Sequence, residues 1–155
     1  MIYIGIDPGF TGAIAYYWPQ ENFIELYDMP VYKNPKGKTE LNLHELHNIL
    51  KPETDEPCTA MIEQVAAMPG QGVSSMFRFG QSYGATQMAV AAHKIPMQFV
   101  TPSKWKSHFG LSRDKGVSRS LASQRFPKQA DLFSRSKDDG RAEATLIALY
   151  AKVTA

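Results

Sequence analysis

At 155 residues with 43% hydrophobic side chains, the chain can bury one core and needs no second domain. Seventeen lysines and arginines against fifteen acids leave a formal charge of +2, too mild by itself to establish nucleic-acid binding. One cysteine, Cys58, excludes an internal disulfide and a cysteine-based zinc site, and the apolar start is too short to span a bilayer.

In chain order, Ile2-Tyr3-Ile4-Gly5-Ile6 predicts a buried strand that ends at Asp7, and Pro8-Gly9 turns the chain sharply. Ala13-Ile14-Ala15-Tyr16-Tyr17-Trp18 follows closely enough to pair with it as a hairpin. Phe23 to Met29 supplies a third strand, giving an antiparallel meander. Asp7 either caps the turn or serves as a functional group where a central strand gives out. Pro30 through Lys38 reads as an exposed loop. Asn42 followed by Glu45 has the form of a capping box, and Leu43, Leu46, Ile49 and Leu50 recur at helical spacing.

Thr59 to Val65 predicts another strand, apolar enough to be covered on both faces. Glu63 is its anomaly, because a carboxylate there must be paired, protonated or bound to a cation. Met68 to Val73 is a flexible connection, and a long helix follows from Ser74 or Ser75 to about His93. Its Gly80 and Gly84 permit a close neighbour, the chain's own sheet or a second copy. Pro96 to Val100 forms a short strand, and Thr101-Pro102 starts a short helix ended by Gly110. Ser112 caps a further helix, Asp114 to about Arg125. From Lys104 to Lys128 the basic residues include Lys104, Lys106, Arg113, Lys115 and Arg119, with Asp114 as the one acid and Trp105 and Phe109 interleaved. That is a phosphate-tracking pattern. A last helix begins near Asp139, with Asp139 and Glu143 four apart and a small-residue face of Ala144, Ile147, Ala148 and Ala151.

If Asp7, Glu63, Asp139 and Glu143 converge, they form an oxygen-only cluster of the kind preferred by magnesium or manganese. Two ions about 4 Å apart would activate a water and stabilise the leaving oxygen of a phosphodiester, with Lys106 and Lys115 steering the backbone.

These motifs, in this order, resemble the RuvC-type Holliday junction resolvases of the RNase H-like superfamily, in a form similar to the phage and viral branch. Ile4-Gly5-Ile6-Asp7-Pro8-Gly9-Phe10-Thr11-Gly12 resembles the first motif and Ile62-Glu63-Gln64-Val65 the second. Phe79-Gly80-Gln81-Ser82-Tyr83-Gly84 resembles the glycine-glutamine helix, and Asp139-Gly140-Arg141-Ala142-Glu143-Ala144 the last motif. The resemblance implies an α/β RNase H-like fold over residues 1–155 as one nuclease domain: a mixed sheet with a three-stranded antiparallel meander and parallel strands flanked by helices. It implies two Mg2+ per site, with Mn2+ as substitute, on Asp7, Glu63, Asp139 and Glu143, with Asp138 as the alternative to Asp139. It implies DNA contacts at Lys106 and Lys115 and an apolar wedge at Met68 or Phe77. The expected activity is symmetric cleavage of four-way junctions by a homodimer without membrane association. The expected compartment is the cytoplasm, that of a bacterial host for a phage protein, with an organellar origin left open. A less selective flap, branched-DNA or RNA-DNA hybrid nuclease is the alternative within enzymes, and an inactive junction-binding module is the alternative outside them. Actin-like ATPases share the opening pattern, but the chain is too short for their two halves.

Overall fold

A computed structural model describes residues 1–114 and 116–155. Strand β1 (Ile2–Asp7) pairs antiparallel with β2 (Ala13–Trp18), and β2 pairs antiparallel with β3 (Phe23–Asp28), so the meander forms as expected. On its other side β1 runs parallel to β6 (Cys58–Glu63), which runs parallel to β7 (Met97–Val100). The sheet order is therefore β3-β2-β1-β6-β7, with β1 at its centre.

Between β3 and β6 the chain forms a two-stranded ribbon, β4 (Val31–Lys33) and β5 (Thr39–Leu41), then helix α1 (Leu43–Ile49). The ribbon corrects the reading of Pro30 through Lys38 as a loop. Its turn is closed by Asn34, whose side-chain oxygen accepts from the backbone N–H groups of Lys36 and Lys38 at 2.9 and 3.0 Å. Half of the expected capping box of α1 forms: the Asn42 side chain accepts from Glu45 N–H at 3.1 Å, while the Asn42 N–H donates to the Pro30 carbonyl instead of the Glu45 side chain. Helix α2 (Val73–Ala92) joins β6 to β7, α3 (Pro102–His108) follows β7, and α4 (Val117–Arg125) leads through 3₁₀ turns at Pro127–Phe133 and Ser136–Asp138 into α5 (Asp139–Thr154). Helix α4 starts later than the expected Asp114, because Gly116 at φ 85° turns the chain just before it.

Alternation along β1 sorts the core into two layers. Ile2, Ile4 and Ile6 face one way, packing with Leu46, Leu50, Ile62 and Val90 beneath α1 and α2. Tyr3, Gly5 and Asp7 face the other way, toward α5. That face is lined by small residues, Ala13 and Ala15 on β2 and Ala144 and Ala148 on α5, all fully buried. Gly5 is the closest point: a Cβ there would fall on the Ala144 carbonyl oxygen and the Ala148 amide. Gly140 in the first turn of α5 approaches the Thr11-Gly12 backbone as closely, so α5 is seated on the sheet at both places.

The small residues of α2 serve a different purpose. Ser82, Thr86 and Val90 face the core, while Gly80 and Gly84 face away, and among the described residues a Cβ added at either would meet no heavy atom of another element within 4 Å. Met88 on the same helix is 65% exposed. The close approach these glycines permit is therefore not made by the chain's own sheet.

Candidate active site

The site is built where the two central parallel strands end. Ile6 is paired with Ile62, so Asp7 and Glu63 come one residue later on adjacent strands and on the same face. Strand β6 stops at Glu63 rather than running to Val65, so the carboxylate stands at the strand's end and not in its interior. Helix α5 crosses that face and brings Glu143 into the electrostatic reach of both.

Burial and the neighbouring charges of Glu63 and Glu143 push the Asp7 carboxyl up to about 7, against a weaker opposing pull from Gly9 N–H and Lys106. Gly9 N–H donates to Asp7 Oδ1 at 3.2 Å, as a turn cap would. Burial also raises the pKa of Glu63, opposed chiefly by Trp105, whose indole N–H donates to Glu63 Oε2 at 2.7 Å. Lys106, next in sequence, places its ammonium 3.0 Å from Glu143 Oε1. Asp7, Glu63 and Glu143 thus form a mutually repelling set of oxygen donors, which Lys106 relieves only partly.

The other two acids of the last motif have other partners. Asp139 accepts from Arg119 Nε at 2.8 Å at the surface. Asp138 is buried and held by Arg135 through its backbone and guanidinium, which lowers its pKa. Arg141 lies 3.9 Å from Asp138 while gripping Asp28 through two bonds at 2.7 and 2.8 Å. Asp138 therefore buttresses the entry to α5.

The basic segment divides similarly. Lys104 and Arg113 are exposed, Lys106 and Arg119 are bound to acids, and Lys115 lies outside the described residues. Met68 and Phe77 are 65% and 67% exposed. Trp105, expected as part of a basic-aromatic face, is fully buried, and Phe109 packs with it. The roles of Trp105 and of the Arg119–Asp139 pair were not legible in the sequence. The one hint was the position of Trp105 on the helix turn that places Lys106 beside the site. Trp105→Phe keeps most of the packing and removes the donor, and is expected to cost about 2–3 kcal/mol in denaturant unfolding.

The donor chemistry of Asp7, Glu63 and Glu143 suits a hard divalent cation, whose charge would relieve their repulsion. Among the described residues, however, no three His, Cys, Asp or Glu side chains stand close enough together to hold a metal ion as they are placed. The Glu143–Lys106 pair would have to open.

No protein-family model and no curated protein matches the chain. Solved structures do. T. thermophilus RuvC in complex with Holliday junction substrate superposes with a TM-score of 0.60 at 18% identity, covering 99% of this chain and 96% of that one. A second Thermus thermophilus RuvC structure gives a TM-score of 0.54 at 18% identity, over 99% and 97% of the two chains. The fold is RNase H-like. Within an RNase H-like sheet of this order, the carboxylates stand at the ends of the central parallel strands, where open α/β sheets present their functional groups. No helix among the described residues is long and apolar enough to cross a membrane.

Proposed function

We propose that the protein is a metal-dependent DNA endonuclease that cuts four-way junctions. The observation that carries this reading is the coupled trio Asp7, Glu63 and Glu143, drawn from two strands and a helix onto one face. Two Mg2+ ions, or Mn2+ in their place, would be held by these three, with Asp139 joining on release from Arg119. Bound there, the ions supply a water nucleophile at neutral pH and charge stabilisation for the phosphodiester transition state. The protein's own contributions follow from the contacts. Trp105 fixes the Glu63 carboxylate, and Gly9 N–H orients Asp7. Lys106 balances Glu143 and, once freed, can meet the negative backbone. Lys104, Arg113 and Arg119 extend the phosphate-tracking face, Lys115 is proposed as a DNA contact from the sequence alone, and Met68 or Phe77, both exposed, is the apolar candidate for a wedge at the junction centre.

Symmetric nicking calls for two sites, and the outer stripe of α2 supports a homodimer. Gly80, Gly84, Met88 and Ala91 lie along one exposed side of that helix, at spacings that let a second copy approach closely. Met88→Glu is expected to yield monomers in sedimentation and to convert paired nicks into single ones.

The deciding experiment is cleavage of labelled four-way junctions of varied central sequence, with magnesium, manganese or chelator. Linear duplex, flap and RNA-DNA hybrid are run beside them. Paired, metal-dependent nicks confined to junctions are expected. Equal cutting of linear duplex would replace the junction reading with a less selective nuclease. Binding without cutting on every junction would leave a binding module.

A further inference from the structure

We propose that the cleft between the β4–β5 ribbon and α2 is a binding channel for an unpaired nucleic-acid strand. The cleft encloses about 1140 Å³ and is lined by Phe10, Tyr32, Lys36, Lys38, Phe77 and Arg78. Phe10, at the cleft's sheet side, belongs to the turn that follows Asp7 and packs on the α1–α2 layer of the core. The opposite wall is the ribbon, fastened to α2 by Arg78, whose guanidinium donates to the Thr39 carbonyl and lies 5.9 Å over the Phe10 ring.

Two chemistries coincide here. Lys36 and Lys38 are exposed at the ribbon's turn, and with Arg78 they give three positive charges against the single carboxylate of Glu40. That carboxylate is met by neutral donors, the Tyr32 hydroxyl and the Asn34 amide, each at 2.8 Å, so it leaves the lysines unneutralised. Tyr32 is 48% exposed and Phe77 67%, and both rings line the same cleft. Cations beside exposed aromatic faces match the backbone and bases of a single strand. A duplex fits less well, because its base faces are already stacked on one another. The choice of a nucleic-acid strand rests on the nuclease reading, but strand binding can be tested without it.

The test is fluorescence anisotropy of the full chain with a labelled oligo-dT, in chelator and across a salt series. Lys36→Ala/Lys38→Ala is expected to weaken binding by about 10-fold and to reduce the slope of log affinity against log salt by about 1.4, two phosphate contacts' worth. A photoreactive 4-thiothymidine strand is expected to crosslink to peptides containing Tyr32 or Phe77. Unchanged affinity and slope, or crosslinks confined to Lys104–Arg119, would overturn the channel. With junction nicking intact, that result would leave the nuclease reading standing. Crosslinks in the cleft of a protein that cuts no substrate would do the reverse. Displacement of dye-labelled poly-glutamate without any oligo-dT binding would assign the cleft to an acidic protein partner and also overturn the proposal.

Discussion

Asp7→Asn is expected to lose at least about 10³-fold in junction cleavage while becoming more stable in the absence of metal. The stability change follows from the raised pKa of Asp7, about 7 in the fold against 3.8 ordinarily. Between those values the folded protein binds more protons at this position than the unfolded chain, so stability falls as pH rises through the window. Above pH 7 the full penalty of holding a carboxylate beside Glu63 and Glu143 is present, and a neutral amide removes it. Asp7 keeps partial access to solvent, which limits the gain to about 1–2 kcal/mol, or about 2–8 °C in Tm. Below pH 4 the two proteins should converge. Added Mg2+ should raise the Tm of the wild type and leave the variant unmoved, since only the wild type keeps the charged ligand. Glu63→Gln should behave alike, because its amide oxygen can still accept from Trp105. A variant that is less stable at pH 7 and indifferent to Mg2+ would return Asp7 to the plain role of turn cap, through its bond with Gly9.

The second large effect concerns Gly5. Gly5→Val would drive a side chain into the backbone of Ala144 and Ala148. Backbone atoms cannot step aside by changing rotamer, so α5 must lift from the sheet. A loss of about 3–5 kcal/mol is expected, a large share of the total stability of a domain. Gly140→Ala should act in the same direction at the other end of the contact, against Thr11 and Gly12. The checks are the denaturation midpoint and, for any variant that stays folded, cleavage. A shift in the seat of α5 moves Glu143 relative to Asp7, so activity should fall further than stability alone explains. A Gly5→Val protein with an unchanged midpoint would mean that α5 does not lie where it is described.

Much of this architecture was legible in the chain itself. The Ile-rich first strand, the apolar run after it and the Asn42 cap each carry a strong local signal, and the structure follows them closely. The positions of Asp7 and Glu63 on the central strands were legible for the same reason, although β6 ends at Glu63, two residues before its apolar composition gives out. The rest depended on long-range partners. The β4–β5 ribbon is held by cross-strand pairs such as Tyr32–Glu40 and by the Asn34 turn, so its composition resembled a loop. Trp105 lies among cations in sequence, yet the fold turns it inward to Glu63, 42 residues away in the chain. Asp139 and Glu143 share a helix face by spacing, but Arg119 and Lys106 draw them to different neighbours. No local pattern encodes those choices.

The seat of α5 on β1 also has a consequence in time. The first strand and the last helix lie more than 130 residues apart, and the site needs both. At ordinary rates of synthesis α5 emerges on the order of 10 s after β1. Until then the nascent chain carries Asp7 and Glu63 without Glu143, on a sheet whose small-residue face is bare. Such late, distant docking is slow to form and leaves that face open to wrong partners meanwhile. On the nuclease reading proposed above, the site stays incomplete on the ribosome until α5 has closed over the sheet.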